Sequence, residues 1–98
     1  MATFISKITL TDQGMKDIKA SCSRAEDFRA AAAKLGIEVK NLYWTLGSFD
    51  GIVIFDAPDS QTATAAMLNL GSHGNVHTET AQAFEAADMT GILGKLPG

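Results

Sequence analysis

The sequence predicts an α+β domain in which a four-stranded antiparallel sheet carries helices between its strands. Three observations lead there. Stretches of strand and helix period follow one another as strand, helix, strand, strand, helix, strand. The second and third strands, within Asn41 to Pro58, fold about one tight turn at Gly47-Ser48-Phe49-Asp50. The third strand, centred on Ile52-Val53-Ile54-Phe55, is apolar on both sides and so needs cover on both sides. The chain has 98 residues and reads as a single domain, 1–98. So short a chain has few elements to cover two faces, and a second copy of itself is the expected cover.

The first strand is predicted over Thr3 to Leu10. Phe4, Ile8 and Leu10 share one face with Ser6 as a polar interruption, and Thr3, Ile5, Lys7 and Thr9 share the other. Thr11 or Asp12 then caps a short helical segment carrying Met15 and Ile18. Ser21-Cys22-Ser23 is expected to interrupt it. Ser23 and Glu26 have capping-box spacing, and Phe28, Ala31, Ala32 and Leu35 repeat along one helical face. Gly36 stops that helix. The second strand spans Glu38 to Leu46 and the third Gly51 to Asp56. A two-residue loop at Ser48-Phe49 would pair Trp44 with Val53 and Tyr43 with Ile54. One hairpin face then holds Leu42, Trp44, Leu46, Val53 and Phe55, and the other Tyr43, Thr45, Ile52 and Ile54. Asp59 caps the second main helix, whose buried face is Ala63, Ala66, Met67 and Leu70, with Gly71 and Gly74 ending it. Val76 to Phe84 is the fourth strand. An amphipathic tail with Met89, Ile92, Leu93 and Leu96 follows. This order is the split βαβ, ferredoxin-like pattern, with strand order 4-1-3-2 and the third strand central.

Composition narrows the function classes. Charged residues make up 19% and hydrophobic residues 46%, a globular balance, and the formal net charge is −3. There is no basic run, so nucleic acid is not an expected partner. No apolar run approaches the ~20 residues of a membrane span, and the first residues lack the pattern of a signal peptide. A cytoplasmic location is expected. The one cysteine, Cys22, makes no internal disulfide or cysteine-cluster metal site. It reads as a small buried filler, or as a thiol at a helix start.

Several segments resemble the GYD-domain family, whose members are small, dimeric α/β-barrel-type proteins. They are Thr11-Asp12-Gln13-Gly14, then Tyr43-Trp44-Thr45-Leu46-Gly47 with Phe49-Asp50, then Ala57-Pro58-Asp59. Gly71-Ser72 with Gly74-Asn75-Val76 and Thr78-Glu79-Thr80 complete the series. Phe49 stands where the family usually has Tyr, and His77 where a basic residue such as Arg is common. The resemblance implies the fold, a homodimer or larger assembly, and a dimeric α/β barrel. It supplies no reaction. Related dimeric barrels include haem-handling proteins and cofactor-free monooxygenases acting on aromatic compounds.

The candidate site residues have plain and sharper readings. Trp44 reads as core and Tyr43 as an interface residue; either could line a ligand cavity instead. A cavity face of Tyr43, Thr45, Ile52 and Ile54, joined by His77 and Glu79, would suit a small apolar ligand. His77 beside Glu79 could tune a proton transfer, but solvated strand polarity explains both. Asp50 serves the turn by bonds to backbone amides. No metal site is expected. His73 and His77 are weak candidates, because Gly74-Asn75 breaks the helical spacing between them. No cofactor is expected, with haem as the alternative. The functional expectation is a small homo-oligomer, with a cofactor-free oxygenase or haem-handling enzyme as the other reading.

Overall fold

A computed structural model describes residues Met1 to Gly98. The elements are β1 (Ala2–Leu10), α1 (Asp12–Lys16), a 3-10 turn (Ile18–Ala20), α2 (Ser21–Lys34), β2 (Glu38–Trp44), β3 (Gly51–Ala57), α3 (Ser60–Ser72), β4 (Val76–Ala83) and α4 (Ala86–Leu93). The sheet runs β2-β3-β1-β4 with every neighbour antiparallel, which is the expected order with β3 and β1 central.

Period-2 patterning decides which face is covered. Along β3, Gly51, Val53, Phe55 and Ala57 are buried, while Ile52, Ile54 and Asp56 are half-buried. Phe4 and Phe55 lie opposite each other in the ladder and stack, with ring centroids 5.5 Å apart. Phe28 and Ala32 of α2 and Ala63, Ala66 and Met67 of α3 close over them as one apolar cluster. The small residues let the helices sit close to the sheet, where each removed methylene is worth about 0.8 kcal/mol. Ser6 is wholly buried among these side chains. The Thr80 hydroxyl donates to its Oγ at 2.9 Å, so the polar interruption in β1 is satisfied.

Several local expectations need correction. The Ser23–Glu26 capping box does not form, and Ser21-Cys22-Ser23 does not interrupt a helix. The chain enters α2 straight from the 3-10 turn, where the Ser21 N–H already donates to the Ile18 carbonyl. Ser23 therefore lies inside α2, and its hydroxyl donates to Ala20 O at 3.3 Å. A capping box does form at α4, between Glu85 and Asp88. Cys22 is exposed rather than buried. Met15, Ile18 and Leu35 are exposed too: α1 packs on β1 and the 3-10 turn on α2 rather than on the core, and Leu35 stands just past the end of α2. The other caps stand as expected: the Gly14 N–H donates to Thr11 Oγ1 at 3.1 Å and the Thr62 N–H to Asp59 at 2.7 Å. Gly36, with φ of 75°, follows α2. Helix α3 runs through Gly71 and is ended by Gly74, with φ of 84°.

The hairpin register also differs. Leu42 pairs with Val53, Tyr43 with Ile52 and Trp44 with Gly51, and β2 ends at Trp44. The connection is residues 45–50, longer than a two-residue turn. From Asn41 to Trp44 the register is displaced by two residues, so these keep their expected faces, whereas before the bulge the offset is odd and Val39 comes opposite Phe55, against the core. A bulge between Val39 and Asn41 leaves Lys40 out of the pairing.

Candidate functional site

At the end of the sheet where β1 finishes and β3 begins, α2 and α3 diverge. The gap is a cavity of about 340 Å³, within the range of small-molecule sites. Ile8 and Leu10 of β1, Leu42 of β2, Val53 of β3, Phe28 of α2 and Leu70 of α3 form its apolar wall. Gly51 contributes to the space by having no side chain. A Cβ there would stand 3.0 Å from the Tyr43 carbonyl and 3.7 Å from the Ile8 Cβ. Ser21, Arg24, Asp50, His73 and Asn75 supply the polar edge.

Most of those polar groups are committed to holding the walls. The Asp50 carboxylate accepts from the Leu10 N–H at 2.8 Å. The Asp50 N–H donates to Ile8 O at 2.8 Å, and its carbonyl accepts from the Thr45 N–H at 2.9 Å. Asp50 thus ties the hairpin loop to β1 across the sheet, a longer-range task than the local turn bonding expected of it. Arg24 donates to the carbonyls of Asp17 at 2.7 Å and Gly14 at 3.4 Å, and pairs with the Asp17 carboxylate at 3.5 Å, fastening α1 and the turn to α2. The Trp44 indole N–H donates to Ser21 Oγ at 2.7 Å. Trp44 is 52% exposed, so it is an edge of the cavity and not core. The reason is its register partner: opposite Gly51, at the strand's end, no side chain faces it. What remains is an apolar recess.

The structure keeps Tyr43, Ile52, Ile54, His77 and Glu79 on one face, as grouped in the sequence, but that face is the helix-free one, and of them only Tyr43 and Ile52, at the sheet end, also border the cavity. Trp44 lies at the cavity. Tyr43, Ile54, His77 and Glu79 lie on the opposite, helix-free face of the sheet, where His77 pairs with Thr9 and Glu79 with Lys7. Thr45 belongs to neither face: its hydroxyl donates to Phe49 O at 2.6 Å inside the loop. His73 caps α3 and reaches the cavity edge, whereas His77 lies in β4 on the helix-free face. No group of three or more His, Cys, Asp or Glu lies together to hold a metal ion. Sequence reasoning named His73 only as a weak metal candidate and missed the contributions of Leu70 and Asn75 to the cavity; the Gly74-Asn75 turn was the available signal.

The helix-free face has its own polar end. The Thr3 hydroxyl donates to Asp56 at 2.6 Å, and Lys40 approaches the same carboxylate at 3.1 Å. The Thr3 hydrogen bond, then Lys40, hold the Asp56 carboxyl below its usual range, and the hydrogen bond to Asp56 holds Lys40 above its usual value. Between this cluster and His77 the face is mixed: Ile5, Ile52 and Ile54 are half-buried and Tyr43 is exposed, while Lys7 and Glu79, opposite each other in the ladder, are exposed beside Ile52.

Helices on one side of an antiparallel β2-β3-β1-β4 sheet define the chain as a ferredoxin-like α+β domain. Solved structures share that fold. The feast or famine regulatory protein from M. tuberculosis, complexed with L-methionine, superposes with a TM-score of 0.66 at 15% identity, over 88% of this chain and 52% of that one. This chain therefore spans about half the length of that regulator. A protein from Thermus thermophilus superposes with a TM-score of 0.57 at 23% identity, over 88% of this chain and 96% of its own. At such identities the likeness is one of fold. The sequence matches the GYD domain family over residues 4–93, and the chain belongs to that family. A relative 34% identical over 94 residues, 95% of this chain and 99% of its own length, is the glutamine synthetase and cystathionine beta-lyase binding protein of Thermus thermophilus. No helix is long and apolar enough to cross a membrane.

Proposed function

We propose that the chain is a small, non-catalytic binding domain that attaches to metabolic enzymes, as its Thermus relative is named for doing, and that it works as a homo-oligomer. One observation carries the first part. The 34% identity extends over 95% of this chain and 99% of the relative. The relative has essentially no further segment to hold its binding role, so that role belongs to the part the two chains share. The helix-free sheet face supports the second part. Ile5, Ile52, Ile54 and Tyr43 give that face an apolar part beside the charged Lys7 and Glu79, and a second copy would remove the apolar part from water.

The test is direct. The purified chain is immobilised and titrated by biolayer interferometry with glutamine synthetase and cystathionine beta-lyase from the same organism. Saturable binding in the micromolar range or tighter is expected for at least one, about −8 kcal/mol or better. No binding of either at about 100 μM overturns the reading.

The cavity favours a second role beside the first, that of taking up a small apolar ligand. The chain has a single tryptophan, and it stands at the cavity edge. Titration with indole should therefore change the emission of Trp44, and an unaltered spectrum at saturating probe removes this role.

A further inference from the structure

The cavity is apolar at its floor, and its mouth offers hydrogen-bond acceptors without a free cation. The charged residues that line it are Arg24, Asp27 and Asp50. Arg24 is already committed: its guanidinium donates to the Asp17 and Gly14 carbonyls and pairs with the Asp17 carboxylate. Asp27 stands one turn further along α2 and has no such partner. The ion pairs of the chain are Arg24 with Asp17 and Lys40 with Asp56, so the Asp27 carboxylate is unpaired. Asp50 uses Oδ2 to accept the Leu10 N–H and keeps Oδ1 without a partner. The Asn69 and His73 side chains, one helical turn apart on α3, also reach the mouth and make no hydrogen bond within the chain; it is their backbone carbonyls that accept, from Ser72 and Gln13.

We propose that the cavity selects small apolar molecules carrying one amino group, held as an ammonium beside Asp27, over apolar carboxylic acids of the same size; this rests on the reading above that the cavity takes up a small apolar ligand. A space of about 340 Å³ holds one ring with a short side chain. Burial of the ring supplies the affinity. The polar group decides which molecule is kept. An ammonium brings donors only and needs acceptors, which the Asp27 carboxylate and the free Asp50 oxygen provide. A carboxylate needs donors or a cation. The one cation here is committed, and two carboxylates repel a third. The Asn69 and His73 side chains can donate or accept and so serve either group. Charge therefore sets the preference. The Trp44 indole, fixed by its N–H bond to Ser21 Oγ at 2.7 Å, adds a flat wall for the ring, and its face also favours a nearby cation.

The experiment uses the full chain and three probes of similar shape: phenethylamine, phenethyl alcohol and phenylacetate. They carry an ammonium, a neutral hydroxyl and a carboxylate. Binding is read from Trp44 emission, excited where tryptophan absorbs and the phenyl ring does not, and by equilibrium dialysis. Titration at about pH 8, above the ordinary imidazole range, leaves the carboxylates as the unpaired charges at the mouth. Phenethylamine should bind roughly threefold to tenfold tighter than phenylacetate, with the alcohol between them, as a partly exposed charge contact allows. At about 0.5 M salt the spread should fall below about twofold. Asp27→Asn should bring the amine to within about twofold of the alcohol and leave the alcohol's Kd unchanged. Glu26→Gln removes a neighbouring carboxylate that does not line the cavity, and should leave all three Kd values unchanged. Asp27 and Glu26 are exposed, so matching thermal melting curves are expected for the three chains. If phenylacetate binds as tightly as the amine, or Asp27→Asn keeps the preference for the amine, the selection is wrong while apolar uptake stands. Equal loss of preference in Glu26→Gln also overturns it, because the charge of the whole surface would then set the order. If none of the three probes binds by either readout, the cavity-uptake reading falls, and this selection with it.

Discussion

Gly14→Ala should destabilise the protein although it places a better helix former in α1. Propensity alone favours alanine by about 0.8–1.0 kcal/mol at a helical position. The structure opposes it. A Cβ on Gly14 would stand 2.1 Å from the carbonyl oxygen of Asn75, a backbone atom that cannot swing aside. That oxygen also accepts the Thr11 N–H at 3.0 Å, and the Thr11 hydroxyl donates to Gly74 O at 2.6 Å. Making room would stretch both bonds that join the start of α1 to the α3–β4 turn. Overpacking of this kind costs about 1–3 kcal/mol, and one strained hydrogen bond adds about 1 kcal/mol. The clash outweighs the propensity gain, for a net loss of about 1–3 kcal/mol. For a domain of this size that lowers Tm by roughly 4–8 °C per kcal/mol. Gly71→Ala is the matched control, because it lies within α3 with nothing within 4 Å of its Cβ. It should raise stability by about 0.5–1 kcal/mol. Urea denaturation of both variants measures the two signs together. A Gly14→Ala variant as stable as Gly71→Ala would refute the close approach of α1 to Asn75.

Three further outcomes are expected. Asp59→Ala should cost about 0.5–2 kcal/mol by removing the cap on the Thr62 N–H, whereas Ser23→Ala should shift the urea midpoint by less than about 0.5 kcal/mol; the reverse order would restore the capping box at Ser23. Asp56 and Asp59 both have carboxyls held low, Asp56 chiefly by the Thr3 hydroxyl and Asp59 chiefly by the Thr62 N–H. Their contribution is present above the unfolded value of about 3.9 and is lost as pH falls through the lower folded values, so the urea midpoint should drop from about pH 5 downward. Thr3→Val should shrink that drop, and a midpoint flat to about pH 2.5 would contradict it. Ile54→Lys should shift the protein towards monomer in sedimentation equilibrium, since an unpaired charge in a dry contact costs several kcal/mol. An unsubstituted chain that sediments only at 10.3 kDa would remove the sheet-face contact altogether.

The fold was legible because its rules are local or follow parity. The Thr11 and Asp59 caps each need one oxygen within three residues. The faces of β1 and β3 follow from alternation, and the order of the elements leaves few ways to pair them. Where a rule depended on what lay upstream, it failed. Ser23 and Glu26 have the spacing of a cap, but a cap is needed only where a helix begins in extended chain, and α2 begins from a 3-10 turn. Cys22 is the second residue of α2 and exposed, so of its two readings the thiol at a helix start fits its position and the buried filler does not.

The site was less legible because no segment contains it. Its walls come from β1, α2, β2, β3 and α3, and the bond that shapes its mouth joins Asp50 to Leu10, far apart in sequence. The hairpin shows how a correct rule can still misplace a residue. Alternation assigned Leu42, Trp44 and Leu46 to one inner face, and for Leu42 this holds, because it pairs with Val53 and packs against the core cluster. Trp44 pairs with Gly51, where a partner side chain is missing, and becomes an edge. By Leu46 the ladder has ended. Parity predicts burial only while paired backbone holds successive side chains against a covering layer. Once the register moved so that β2 stopped at Trp44, Leu46, expected on the same hairpin face as Leu42, was left wholly in water. Beyond the end of its ladder, hydrophobicity no longer reports burial, and the four hydrogen bonds of this loop hold Thr45, Phe49 and Asp50 without directing Leu46 towards the core.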